Sequence, residues 1–477
     1  MAIALFVLPL VFALAALAVP SPRVRPWLVP VGGGLQLVLV LLAVRDGHGT
    51  AYSDWLVIDK LGRVALPLVS GLFFACSLYV PTYLRLRPGR PNRVLCGALL
   101  AFLGMMTLIV ESQHLGLMWI ALEANTLVSA PLLIFNQNPR SIEATWKYLL
   151  IGAVGIALAL LGTLFLAYSA LHAGRHGSLL IADLVLDARL LSRPWLHTAF
   201  VVLLVGYGTK MGLAPMHTWK PDAYGEAPGL VGALMAGGLT TCAFLALLRF
   251  YQICAAAGEG PFARELLVVI GLLSMAVAGV FMARQPDYKR MLAYSSVEHM
   301  GILVLGIGVG GLAAFGSMLH LVNNALTKGV MFMAAANIHR AYGAKTIDRV
   351  SGALRRVPAS ATLFLVGFFA VTGAPPFAPF LSEITILRGA VANGRYGIAA
   401  AFLVLLFVVF VGMSATVLAV VQGEPPKDLK ETGYRDSLGT VGPALLLLVA
   451  VTILGVWVPA PMDAAIRAAA VYVETGR

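Results

Sequence analysis

Six ionisable residues stand inside long apolar stretches where no loop can claim them: Glu123, Lys147, Lys210, His320, Lys328 and Glu383. A charge at the centre of a bilayer costs on the order of 2.5–3.5 kcal/mol even on a lenient insertion scale, so each needs a partner or water. Glu123 lies within Trp119-Ile-Ala-Leu-Glu-Ala-Asn125, Lys147 early in its stretch, and Lys210 just ahead of Gly212-Leu-Ala-Pro-Met-His217. His320 and Lys328 share one apolar run, and Glu383 follows Thr372-Gly-Ala-Pro-Pro-Phe377. Each has a plain structural reading when taken alone. Glu123 and Lys210 would form a static ion pair, Lys147 would snorkel to water, and His320 would be a hydrogen-bonded packing residue. Spread over both halves of the chain, the set points instead to a hydrated polar axis. Protons suit it better than bulky substrates, because moving one charge changes the protonation of its neighbour and no binding pocket is needed. His320, an imidazole with a reference pKa of about 6.5, is a relay candidate. Haem ligation by pairs among His114, His217, His299 and His320 is the alternative use of the histidines.

The elements that position these residues must cross a membrane. The 477 residues are 59% hydrophobic and 12% charged, with mean hydropathy +0.87, against about 25% charged for soluble domains. A water-soluble fold is excluded. Apolar runs long enough for a hydrocarbon core of about 30 Å predict about 14 spans. They cover 2–19, 29–44, 64–83, 94–110, 115–135, 144–171, 198–216, 229–251, 266–282, 291–308, 312–338, 359–390, 398–421 and 441–458. The first run lacks a basic start and a small-residue cleavage pattern, which reads as a helix and not a removed signal. The net charge of +12 is spread over short loops, unlike the single basic patch of a nucleic-acid binder. With the N-terminus outside, the inner loops hold about 19 basic residues against about 11 outside, predicting both termini on the outer side of the cell (inner) membrane. Cys76, Cys96, Cys242 and Cys254 lack any CxxC or CxxH spacing and read as packing residues.

The longest stretches between spans, 45–63, 172–197, 339–358 and 422–440, are too short for an extramembranous catalytic domain. No nucleotide loop, zinc finger or GxSxG elbow is present. Prolines inside the seventh and twelfth spans, at Pro215 and at Pro375-Pro376, predict that both helices break. These breaks sit five spans apart and run in opposite directions, the pattern of two inverted five-helix repeats whose broken helices mark an ion path. The expected fold is therefore an all-α polytopic membrane protein. Its parts are peripheral spans over 1–93, a first repeat over 94–253, a second inverted repeat over 254–421, and a last span with its tail over 422–477.

The same residues resemble the antiporter-like membrane subunits of respiratory NADH:quinone oxidoreductase, multisubunit sodium/proton antiporters and energy-converting nickel-iron hydrogenases. The central motif is Lys210-Met-Gly-Leu-Ala-Pro-Met-His217-Thr-Trp-Lys-Pro-Asp222-Ala-Tyr-Gly-Glu226-Ala-Pro228. Further matches are Asp287-Tyr-Lys289-Arg290-Met-Leu-Ala-Tyr-Ser-Ser-Val-Glu298-His299-Met-Gly301, the segment from His320 to Lys328, and Pro375-Pro376-Phe with Glu383. Glu123-Ala-Asn-Thr-Leu-Val-Ser and Ser141-Ile-Glu143-Ala-Thr-Trp-Lys147-Tyr look most like the hydrogenase-associated F-type subunit. The resemblance implies a proton-translocating subunit without a redox centre, cofactor or metal of its own. It implies other membrane subunits and a soluble, hydrogenase-like redox arm as partners, with protons as the ion and sodium as the alternative. By the same resemblance Glu123 and Lys210 are a coupled pair, His320 and Lys328 the central relay and Glu383 the terminal group, with Lys147 and His217 in the same set. Three departures stand out: Thr241 where many relatives carry lysine, Asn324 where histidine is common, and Tyr224 in place of a histidine. The eighth span, 229–248, holds no ionisable residue. A proton crossing it is expected to rely on water held by Thr240 or Thr241. The competing readings are a sodium/proton antiporter or quinone-reductase subunit, and a structural anchor with an inactive channel.

Overall fold

The computed structural model describes residues 2–45, 53–175, 177–426 and 432–476, so parts of the loops at 45–63, 172–197 and 422–440 lie outside the described residues. Among the described residues the secondary structure is helical, with isolated β-bridges and no strand. Every predicted span lies on a helix. Ten helices of 19 to 34 residues are apolar enough to cross a bilayer, and Ala2–Ala18 and Pro358–Val371 are apolar but shorter. Helix is the form such sequences take because no water in hydrocarbon satisfies an open backbone group. The longest helix, Pro139–His172, starts on a capping box in which Asn138 accepts from the Ser141 amide at 2.6 Å.

The eighth and tenth spans, Gly229–Ala256 and Tyr288–Val309, are wholly enclosed by other helices, and the eleventh, Leu312–Tyr342, is buried along most of its length. Outer helices turn large apolar side chains outward, such as Leu150 and Val154 on the sixth span and Val404 and Phe407 on the thirteenth. Helices shielded from lipid on all sides can carry charged groups that a lipid-facing helix could not. Lys210, Lys220, Glu298, His299, His320, Lys328 and Glu383 fall on the enclosed helices and on the two broken ones, whereas Glu123 stands on the fifth span, Leu115–Leu133.

Both expected breaks are present. The seventh span, Arg193–Met211, stops at Gly212 in the left-handed region (φ 77°), and the chain resumes as Trp219–Glu226. The twelfth, Pro358–Val371, is followed by Gly373 (φ 69°) and resumes as Ala378–Ala392. In each, a glycine takes a conformation closed to residues with a Cβ, and a proline that cannot donate bars the helix from continuing. The Ala214–Pro215 and Pro375–Pro376 bonds are cis. The eighth span contains a π-helical turn at Met235–Leu239.

The segment read as a tail is a further helix, Ala460–Thr475, which buries Ile466, Ala469, Ala470 and Val473. Glu474 fixes its end by accepting from the Gly311 amide at 2.6 Å and pairing with Arg264 at 3.2 Å. At 16 residues, with Asp463, Arg467 and Glu474 in it, the segment is too short and too polar to stand out among apolar runs long enough to span.

The sixth and seventh spans meet through small residues. A Cβ on Gly206 would lie 2.6 Å from the Ala159 amide nitrogen, and one on Gly162 would lie 2.6 Å from Leu203 Cγ. Gly206→Leu is therefore expected to lower the thermal unfolding midpoint of the chain within its complex, overpacking of this kind costing about 1–3 kcal/mol. Gly71→Ala, where a Cβ meets nothing within 4 Å, should hold or raise the midpoint, alanine being the better helix former, and a Gly206→Leu variant as stable as Gly71→Ala would refute this close packing.

Candidate functional site

The axis begins where three helices meet. Lys210, next to last in its helix, is almost fully buried, and its Nζ lies 3.7 Å from Glu123 Oε2. The ammonium donates to Thr126 Oγ1 at 2.5 Å and sits 5.8 Å from the centroid of the Tyr148 ring. The helix C-terminus adds its partial negative charge to that of Glu123. Space for the amine comes from Gly152, where a Cβ would lie 2.9 Å from Nζ.

Beyond the break the chain delivers a second buried amine, Lys220, which is fully buried. Its stem packs on Gly212, and its Nζ lies 3.3 Å from Ser296 Oγ and 3.5 Å from the Ser296 carbonyl. Trp219 holds this turn by donating from Nε1 to the Thr209 carbonyl at 2.8 Å. The preceding serine, Ser295, accepts from Lys328 Nζ at 2.6 Å. Adjacent serines of the tenth span thus hold two lysines, one from each half of the chain.

Past Lys328 the groups are Glu298, His299, His320 and Glu383, all buried. His299 Nδ1 and His320 Nε2 share a hydrogen bond at 2.9 Å, and His320 Nδ1 shares another with Ser382 Oγ at 2.9 Å. Glu298 Oε2 lies 3.9 Å from His299 Nε2. The Glu383 carboxylate packs into the bend of the twelfth span, against Gly373. Several polar atoms along the line have no protein hydrogen-bond partner: Glu123 Oε2, His217 Nδ1, Glu298 Oε2, His299 Nε2, Asn324 Oδ1 and Glu383 Oε1.

The expected residues divide accordingly. Glu123 and Lys210 come together, His320 and Glu383 lie together with His299, and Lys328 shares the helix of His320 with its Nζ on Ser295. Lys147 does not join them: its side chain is 45% exposed and pairs with Glu143 at 2.6 Å and Asp222 at 2.9 Å. Arg290 binds the same Asp222 at 3.0 Å. His217 is buried beside the rings of Phe281 and Tyr294. The Thr241 hydroxyl donates to the Gly237 carbonyl of its own helix at 2.5 Å and that of Thr240 to Ala236 at 2.6 Å, which leaves both hydroxyls as acceptors only. Lys220 is a buried amine beside Ser296 that was not among the expected residues. Its signal was a lysine between Trp219 and Pro221 at a predicted helix break, a place that reads equally well as an exposed loop. Glu298 and His299 stood in a matched motif without a role. Arg249, at the end of the eighth span, is fully buried, donates to the Val110 carbonyl at 2.6 Å and pairs with Asp59 at 3.6 Å.

The histidine geometry bears on cofactors. His114 accepts from the Leu117 amide and stacks on Trp55, and His217 is lodged among aromatics. The facing nitrogens of His299 and His320 are at hydrogen-bond distance, too close to hold an iron between them. Donor atoms of His299, His320 and Glu383 lie within 4.8 Å of one another, the one such trio among the described residues. Those three residues would supply the ligands if a metal bound. All four cysteines are buried and free.

Comparison with known proteins agrees with this architecture. The family model described as "NADH:quinone oxidoreductase/Mrp antiporter, TM" matches residues 112–460. The chain is 33% identical over 443 residues to the hydrogenase-4 component F homolog of Methylacidiphilum infernorum, covering 90% of this chain and 91% of the relative. It is 31% identical to NADH-quinone oxidoreductase subunit N of Desulforudis audaxviator, covering 80% and 74% of the two chains. Among solved structures, a chain of the archaeal membrane-bound sulfane sulfur reductase superposes with TM-score 0.87 at 20% identity, covering 99% of this chain and 97% of that one. A chain of the Mrp complex from Dietzia sp. does so with the same TM-score and coverage at 19% identity.

The bend at Gly373 offers a direct check on the site. A Cβ there would fall 2.0 Å from Glu383 Oε2, whereas Gly394 shares the φ of 69° with nothing within 4 Å. The infrared band of the buried carboxyl, assigned by its loss in Glu383→Gln, is expected to shift in Gly373→Ala and to stay in place in Gly394→Ala. Matching spectra for the two alanine variants would refute the contact.

Proposed function

This chain belongs to the NADH:quinone oxidoreductase/Mrp antiporter transmembrane family, and from that premise we propose that it carries protons across the membrane for an energy-converting hydrogenase or related redox complex. The observation that supports this most directly is the set of buried ionisable and hydroxyl groups between Glu123 and Glu383, in the clusters Glu123–Lys210–Thr126, Lys220–Ser296 with Ser295–Lys328, and His299–His320–Ser382 beside Glu383. In this reading the Lys147–Asp222–Arg290 cluster gathers protons at one face, and His217 and Tyr294 lie between it and Lys220. The Glu123–Lys210 pair is the switch. Two unit charges about 4 Å apart interact by about 4 kcal/mol at an effective dielectric constant of about 20. Opening the pair therefore alters the protonation of Lys210 strongly, and the change passes to Lys220, Lys328 and the two histidines. The partnerless polar atoms along the line are those that water would satisfy, giving protons a route between side chains. Glu383 ends the path on the exit side.

Protons are favoured over sodium because the line is built mainly of lysine and histidine nitrogens. A sodium site would need a shell of oxygens, and cationic amines repel it. Two inverted repeats, 94–253 and 254–421, are supported by the matched breaks, Gly212-Leu-Ala-Pro215 and Gly373-Ala-Pro375. We place both termini on the outer side of the cell membrane. Similarity to the component F homolog favours a hydrogenase-related arm as the partner that supplies redox energy. The chain has no electron-transfer role in this scheme. The similarity to a quinone-reductase subunit N keeps that complex as the second reading.

Proton pumping by inverted vesicles bearing the whole complex, followed with a pH-sensitive dye while the redox reaction turns over, tests the scheme. Lys210→Ala, Glu123→Gln and Lys220→Met are each expected to reduce pumping to the uncoupled baseline while the complex stays assembled. Full pumping in Lys210→Ala and Glu123→Gln would support an inactive anchor. Full pumping in Lys220→Met alone would return the crossing to the threonines of the eighth span.

A further inference from the structure

Far from the axis, at the ends of the first four spans, five arginines line one cavity of about 680 Å³: Arg23, Arg25, Arg85, Arg87 and Arg90. Among the described residues no Asp or Glu contributes to its wall. The guanidiniums that are held are held by neutral groups. Arg25, which is buried, donates to the carbonyls of Val19 at 2.6 Å and Pro20 at 3.1 Å and to Asn92. Arg87 donates to Asn136 Oδ1 at 2.6 Å, and Arg90 to Gln137 Oε1 at 2.7 Å and to the Asn136 carbonyl at 2.8 Å. Such contacts orient the charges without neutralising them. Trp27, 55% exposed, also lines the cavity, and its indole is suited to the boundary between headgroups and hydrocarbon.

An apolar groove of about 470 Å³ starts nearby and follows the first and fourth spans, lined by residues including Leu10, Leu14, Leu17, Val94, Ala98 and Pro131. Leu17 precedes by two residues the Val19 carbonyl that Arg25 holds, and Val94 follows Asn92 by two. The cationic cavity and the apolar groove thus lie at the same end of the first and fourth spans, one suited to a phosphate and the other to an alkyl chain.

We propose that this composite surface binds an anionic phospholipid, its phosphodiester among the arginines and one acyl chain along the groove. Basic pockets at helix ends on the cytoplasmic side hold anionic headgroups in this manner. The assignment is independent of the translocation path.

The purified full complex, stripped of lipid by a detergent wash, provides the test through its thermal midpoint on adding phosphatidylglycerol, phosphatidylcholine or inorganic phosphate. Phosphatidylglycerol is expected to raise the midpoint, and the other two are not. The double variant Arg23→Gln/Arg85→Gln changes only exposed side chains, and it should need about 30-fold more phosphatidylglycerol for the same shift. Ala98→Phe, which blocks the groove, should weaken the response with every arginine intact. An unchanged response in the double variant, equal protection by phosphatidylcholine, or full protection by phosphate alone would each overturn the proposal. So would efficient cross-linking of Ala98→Cys to a neighbouring membrane subunit, since protein would then cover the groove.

Discussion

An ammonium group inside a membrane must be met by oxygen, and much of this molecule is arranged around that requirement. Three buried lysines of the line each find a hydroxyl, Thr126 for Lys210, Ser296 for Lys220 and Ser295 for Lys328, and a fourth, Lys289, finds the Ala227 carbonyl. A hydroxyl solvates the charged amine and can equally donate to the neutral one. The contacts therefore tolerate both protonation states, as a permanent carboxylate partner would not. Lys210 also pairs with an acid, Glu123, at the start of the line, and Lys328 lies within the field of Glu298. The enclosure of the eighth, tenth and eleventh spans follows from the same need, because polar contacts of this kind persist only where lipid is excluded.

Much of this was legible in the sequence. Long apolar runs and proline-glycine breaks announce themselves through composition, and charge stranded in an apolar run is conspicuous. Glu123, Lys210, His320, Lys328 and Glu383 are visible for that reason; Glu123 and Lys210 form an ion pair, and His320 and Glu383 lie together with His299. Lys220 is not visible in this way, because a lysine between Trp219 and Pro221 at a predicted break looks like a loop residue; its burial depends on the tenth span supplying Ser296. Lys147 misled in the opposite sense. It lies within an apolar stretch but points to a cluster with Glu143 and Asp222, and Asp222 is 75 residues away in sequence. Thr241 was chosen for its place in an uncharged span, whereas its hydroxyl donates to its own backbone. The direction of a side chain around a helix, and what another helix brings opposite it, is tertiary information.

The two breaks do more than interrupt helices. The first carries the chain from Lys210 to Lys220, so that one broken helix contributes two amines to the line. The second brings Ser382 and Glu383 back beside His320. A continuous helix would hold residues ten apart about 15 Å from one another along its axis, whereas the bend at Gly212 folds the Lys220 stem back onto that glycine itself.

The last helix has a mechanical consequence. Glu474 grips the amide of Gly311, in a turn where Gly310 and Gly311 both have positive φ. That turn is the only covalent link between the helix bearing Ser295, Glu298 and His299 and the helix bearing His320 and Lys328. A force applied to the C-terminal helix would thereby reach the turn that joins the helices carrying His299 and His320. A neighbouring subunit that pulled or released this strap would have leverage over the His299–His320 contact without approaching either ring.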